Sequence, residues 1–162
     1  MAAGQPSMNI LRGAIASFCL VLVAGGNLFA VGTSCRTFDE FPDLRCEDLQ
    51  ARLDAYSAAL NDEPSAQAYV VVYEGKYWEG RNPRRGEAQA KAARIKDYLV
   101  NYRGLNSERI TIINAGQRAN FTVQLVICPG GAVIQSVPTV LYKDLKFKKG
   151  KIKKSEYKWS CL

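Results

Sequence analysis

Apolar residues recur along this chain with two different periods. Leu49, Leu53, Tyr56 and Leu60 follow one another at spacings of four, three and four, while Glu47, Asp48, Arg52 and Asp54 fall outside the stripe. That pattern predicts an amphipathic helix from about Arg45, stopping before Asn61-Asp62-Glu63-Pro64. Ala88, Ala92, Ile95 and Leu99 mark a second helix over about Arg85 to Arg103, with Gly104 placed to end it. Tyr69-Val70-Val71-Val72-Tyr73 is a continuous β-branched and aromatic run, which reads as a central strand buried on both faces. Thr37 to Phe41 reads as a short first strand halted by Pro42-Asp43, and Ile110 to Ile113 as a third. Phe121, Val123, Leu125 and Ile127 alternate as one face of a fourth strand, which Pro129-Gly130-Gly131 ends. Asn114-Ala115-Gly116-Gln117 reads as a loop between the last two strands. The order β-α-β-α-β-β predicts an α+β fold, a two-layer sandwich with both helices packed on one face of a mixed sheet.

Before and after this body the pattern changes. Met1 to Met8 has no acid, Arg12 is the only charge, and Ala14 to Val31 is almost wholly apolar or small. Its densest part, Phe18 to Ala24, is about two helical turns, where a membrane span needs about 20 apolar residues. Residues 1–34 therefore read as a cleaved signal peptide, giving a secreted or periplasmic protein. Lipid anchoring at Cys35 is disfavoured, because Gly32-Thr33-Ser34 lacks the expected aliphatic residue. Loss of the leader removes Cys19 and leaves Cys35, Cys46, Cys128 and Cys161, an even set that predicts two disulfides, with three pairings open. Residues 132–162 form a basic extension: Val137 to Leu141 is extended in character, Leu145 to Ile152 suits a small hairpin or a disordered ribbon, and Tyr157, Trp159 and Cys161 argue that the end is pinned to the body.

Charge separates the same regions. From Cys35 to Cys128 there are 13 basic and 13 acidic residues, whereas Pro129 to Leu162 holds eight lysines against Asp144 and Glu156. The net charge of +7 thus belongs to the leader and the extension. An anionic surface is the electrostatic partner expected for the extension, with a solvated ribbon as the plain alternative; nucleic acid is not expected for an exported chain.

The chain contains no histidine, which removes Ser-His-Asp and Cys-His catalysis and histidine metal sites. No cysteines are spaced as a Cys-x-x-Cys clip, and no phosphate-cradling glycine loop occurs. Asp39 and Glu40 are adjacent in a strand and point to opposite faces, so they do not form a catalytic pair. A non-enzymatic protein without cofactor or metal is expected. The segment Lys76 to Arg85, with Tyr77, Trp78, Glu79, Arg84 and Arg85, concentrates aromatics and charge and is the candidate ligand surface.

These residues in this order resemble the peptidoglycan-associating domain at the C-terminus of outer-membrane protein A and its relatives, the OmpA-like family. Phe38-Asp39-Glu40-Phe41 is similar to the family's opening strand, Leu49 to Leu60 to its first helix, and Asn61-Asp62-Glu63-Pro64 to the turn before its second strand. Arg94-Ile95-Lys96-Asp97-Tyr98-Leu99-Val100, Arg103-Gly104-Leu105 and Ser107-Glu108-Arg109-Ile110 resemble its second helix, glycine stop and third-strand start. The resemblance covers residues 35–131. It implies a non-catalytic cell-envelope module that docks on peptidoglycan or an envelope protein. In the family an aspartate takes the ammonium of diaminopimelate and a second-helix arginine takes its carboxylate, a pairing suited to a zwitterion. Here the aspartate position falls on Trp78, with Glu79 or Glu74 as neighbouring acids, and the arginine position on Lys91, which keeps the charge and loses the fork. These departures carry the second expectation, an interaction domain that has lost the family's peptidoglycan site.

Overall fold

The computed structural model describes residues 34–132, 134 and 142–160, together with Met1. Residues 2–33 of the leader, the stretch Val137 to Leu141 and Cys161 lie outside the described residues. Four strands and two main helices follow the expected order: β1 (Arg36–Phe41), α1 (Cys46–Asp62), β2 (Gln67–Lys76), α2 (Glu87–Asn101), β3 (Ile110–Asn120) and β4 (Thr122–Cys128). The sheet order is β1-β4-β2-β3, with β4 antiparallel to both its neighbours and β3 parallel to β2. The fold is α+β with a mixed sheet.

Both helical stripes do what their spacing predicts. Leu53, Tyr56 and Leu60 of α1 and Ala88, Ala92, Ile95 and Leu99 of α2 are buried against Val70, Val72, Val123, Leu125 and Ile127 of the sheet. Hydrophobic burial over this single interface is the main stabilising contribution, at about 1.5–3 kcal/mol for each large side chain fully removed from water. Tyr56 keeps its hydroxyl satisfied inside the core by donating to the Val126 carbonyl at 2.7 Å. Helix α1 has no basic residue in its last turn. Arg109, just before β3, supplies the missing donors, reaching the carbonyls of Leu60 and Glu63 at 2.9 Å and of Ala66 at 3.0 Å.

Two strand boundaries differ from the sequence expectation. Asn114 to Gln117 is not a loop: β3 runs on to Asn120 as an edge strand, keeping pace with β2 through register shifts after Val72 and Glu74. Gly75 and Lys76 correspondingly belong to β2. The reason lies in how β3 reaches β4. Those strands are consecutive in sequence but flank β2, so the chain steps across β2 at Gly75. A Cβ there would lie 2.1 Å from the Asn120 carbonyl carbon and 2.3 Å from the Phe121 nitrogen. Only glycine leaves room for that crossing. The Phe121 N–H donates to the Lys76 carbonyl at 2.9 Å on the far side.

The second face of the sheet is also covered. Val71, Tyr73, Val126 and Cys128 are buried there, with Ala132 and Ile134 packed against them. Cys35, preceding β1, is disulfide-bonded to Cys128 at the end of β4; Cys46 is disulfide-bonded as well. Such bonds belong to an oxidising, extracytoplasmic environment. No described helix is long and apolar enough to cross a membrane.

Residues 142–160 form a strap along α2 rather than a hairpin. Lys148 makes an isolated parallel bridge with Arg84, its N–H donating to the Pro83 carbonyl at 2.7 Å. Phe147 sits under the Arg85 guanidinium, and Glu156 pairs with Arg84. Trp159 packs on Tyr98, ring centroids 4.3 Å apart, while its backbone N–H donates to Asp97 at 2.8 Å. The expectation that the chain end is pinned to the body is met, through Trp159.

Candidate functional site

A cleft of about 490 Å³ opens where the turn after β1 faces α2. Its rim carries Asp43, Arg45 and Glu47 from the turn and the start of α1, Lys91 and Arg94 come from α2, and Phe121 and Val123 lie at its sheet end. Trp159 of the strap closes one side. Lys91 and Arg94 are three residues apart, and that spacing aims both at the same helix face.

Lys91 is the centre of the charge arrangement. Its ammonium pairs with Asp43, both side chains being largely shielded from solvent. Two aromatic rings support it from behind: Tyr77, with its centroid 4.9 Å away, and Phe121 at 5.4 Å. Those rings stack on each other at 4.7 Å. A cation held between a carboxylate and two ring faces is fixed in position and only partly desolvated. Asp43 lies 3.5 Å from the Trp78 N–H as well, so the segment before α2 helps to orient it. Arg94 uses Nε to donate to the Lys158 carbonyl at 3.2 Å. Its terminal nitrogens have no partner among the described residues, leaving one edge of the guanidinium able to take a planar anion.

The candidate residues of the segment before α2 do not converge on this cleft. Tyr77 is buried and acts as a support. Trp78 is 64% exposed and does not line the cleft. Lys76 is exposed at the end of β2, and Glu79 occupies a left-handed position (φ 56°) in a tight turn. Arg84 is held by two carboxylates, Glu87 and Glu156, and Arg85 lies over Phe147, 4.8 Å from the ring centroid. Of the predicted ligand residues, Lys91 alone lines the cleft.

A second charged group sits at the start of α2. Glu87 is buried, accepts both terminal nitrogens of Arg81 at 2.7 and 3.1 Å, and takes the Arg84 N–H at 2.9 Å. Burial alone would raise its pKa, but these donors together hold it below the ordinary carboxylate value. Glu74, 6% exposed, accepts the Ala88 N–H at 3.2 Å and lies 3.5 Å from the Tyr77 hydroxyl. Burial, reinforced by the negative Glu87 and only partly offset by the Ala88 donor, raises it to about 7. Neither glutamate lines the cleft, so Glu74 does not stand in there for the family's aspartate. At the outer end of the sheet, Asp39 pairs with Arg52 of α1 while Glu40 pairs with Arg118 of β3, the separation expected for adjacent strand residues. Among the described residues no group of three or more His, Cys, Asp or Glu could hold a metal ion.

Sequence reasoning passed over Asp43, Arg94 and Trp159. Asp43 reads as a strand stop, and it meets Lys91 from 48 residues away. Arg94 was legible as one helical turn from Lys91. No family model matches the chain, and no curated protein matches it.

Proposed function

We propose that this chain is an exported, non-catalytic binding module of the cell envelope, resembling OmpA-like domains, whose cleft receives a carboxylate-bearing group of a wall polymer or envelope protein. The observation that carries the reading is the convergence of Lys91, Arg94 and Asp43 on one cleft: two cations of different geometry and one acid. An incoming carboxylate takes the open edge of Arg94 and competes with Asp43 for Lys91. A ligand ammonium, if present, takes Asp43 once its lysine is engaged. The absence of histidine and the ion-paired state of the buried Glu87 support binding over catalysis.

Co-sedimentation of the oxidised chain with insoluble peptidoglycan tests this, with free diaminopimelate as competitor and Lys91→Gln and Arg94→Gln as variants. Saturable binding that diaminopimelate displaces and either variant weakens is expected. Absence of binding, or binding indifferent to both substitutions, overturns it. A second reading, a protein-interaction domain whose peptidoglycan site has been lost, is favoured by one observation: Trp78, at the family's aspartate position, is turned to solvent. Under that reading the wall does not sediment the chain and an envelope protein does, through contacts that a Trp78→Ala substitution weakens.

A further inference from the structure

The strap sorts its charges by direction. Leu145 is buried, and Phe147, Ile152, Glu156 and Trp159 are partly buried toward the body. All eight lysines from Lys143 to Lys158 are exposed. Of its two acids, Glu156 is taken up by Arg84, with its Oε1 also accepting the Lys153 N–H, and these contacts hold it charged down to about 2. None of the eight lysine ammonium groups has a salt-bridge partner among the described residues. The body beneath is electrically balanced. The fold therefore places the net positive charge of residues 35–162 along one ribbon, pinned at Pro83, Arg84, Asp97 and Tyr98.

From this arrangement we infer that the strap is a docking face for an anionic phospholipid bilayer. The residue type argues for a diffuse charged plane over a stereospecific polyanion. The strap's cations are all lysine, compact and strongly hydrated charges, and residues 132–162 contain no arginine to grip individual phosphates in a fork. Tyr157, 40% exposed among the lysines, supplies a ring of the kind found at the membrane–water boundary. Its neighbours do not offer the row of exposed aromatic platforms on which nucleic-acid bases stack. The contact is peripheral: the ribbon's large apolar side chains are shielded from solvent rather than free to insert, so attraction falls steeply as salt is added. The strap closes one side of the cleft through Trp159, but none of its lysines lines the cleft, and the test does not depend on the cleft's ligand.

Every residue of both apolar cores lies between Cys35 and Trp159, so the oxidised chain from Ser34 onward carries the whole described fold. It would be centrifuged with phosphatidylcholine vesicles with and without phosphatidylglycerol at low and high salt, beside a variant with Lys146, Lys149, Lys151 and Lys154 changed to Gln. Binding is expected only with phosphatidylglycerol and only at low salt. Each lysine removed should lower it about fivefold, so the quadruple variant should lose more than about a hundredfold, with an unchanged thermal melt because these ammonium groups hold nothing in the fold. Equal binding to neutral vesicles, no binding to either, or a quadruple variant within a few-fold of the parent would overturn the inference. Tighter binding to a linear polyphosphate or a DNA oligonucleotide than to the vesicles would also overturn it, and would assign the face to a polymer instead.

Discussion

Glu74 makes the stability of this protein depend on pH in a window where almost nothing else titrates. In an unfolded chain its carboxyl has the ordinary value of 4.5; in the fold, burial and the neighbouring Glu87 raise it to about 7. Between those values the folded protein retains a proton that the unfolded chain has released. Stability is therefore full below about 4.5, declines as pH rises, and levels off above about 7. At about 1.4 kcal/mol per pH unit, the whole interval amounts to about 3.5 kcal/mol. With no histidine in the chain, the slope between pH 5 and 8 belongs to this residue. Glu87 is shifted the other way, so its contribution is present above the ordinary carboxylate range and is lost only in more acid solution. Glu74→Gln keeps an oxygen acceptor for the Ala88 N–H and abolishes the titration. Urea denaturation followed by tryptophan fluorescence at pH 5 and pH 8 should show the parent losing about 3 kcal/mol and the variant nearly none. Parallel curves for the two proteins would refute the reasoning, because they would mean that Glu74 is ionised in the fold at pH 5.

Gly75→Ala should lower stability by at least about 3 kcal/mol in thermal melts, since the new methyl meets the Asn120–Phe121 backbone and no flexible side chain can yield. Replacing Cys35 and Cys128 together by Ala, which opens a link between residues 93 apart in sequence, should cost about 4 kcal/mol in urea denaturation with the β1–β4 register retained in hydrogen exchange. Asp97→Ala removes the acceptor of the Trp159 backbone N–H; a loss of about 1 kcal/mol should be accompanied by faster tryptic cleavage within Lys151 to Lys158, measured by limited proteolysis.

The helical stripes and the alternating β4 were legible because each presents one apolar face to one core, and periodicity reports that geometry directly. Tyr69 to Tyr73 likewise announced a strand buried on both faces. What covers its second face was not readable, because Ala132 and Ile134 belong to a stretch with no periodic pattern. The far half of β3 was missed for a different reason. As an edge strand it exposes polar residues, and Asn114, Gly116 and Gln117 have turn-like composition, so pairing with β2 overrides local preference. The cleft was half legible: Lys91 follows from the pattern of α2, while Asp43 and Trp159 arrive through contacts 48 and 62 residues away in sequence, measured from Lys91 and Asp97. Such meetings are products of topology, and linear spacing carries no trace of them.

The place of β4 in the sheet sets the timetable of folding. It is the last of the described strands to be synthesised, yet it occupies the position between β1 and β2 and provides β1 with its entire pairing edge. Until residue 128 has left the ribosome, β1 has nothing to bind, and the two halves of the sheet cannot join. A growing chain of this topology can pair β2 with β3, but it leaves β1 unpaired until β4 emerges. Cys35 then finds Cys128 only when the final strand has slotted home, so oxidation of that pair is a chemical stamp on molecules whose sheet is complete.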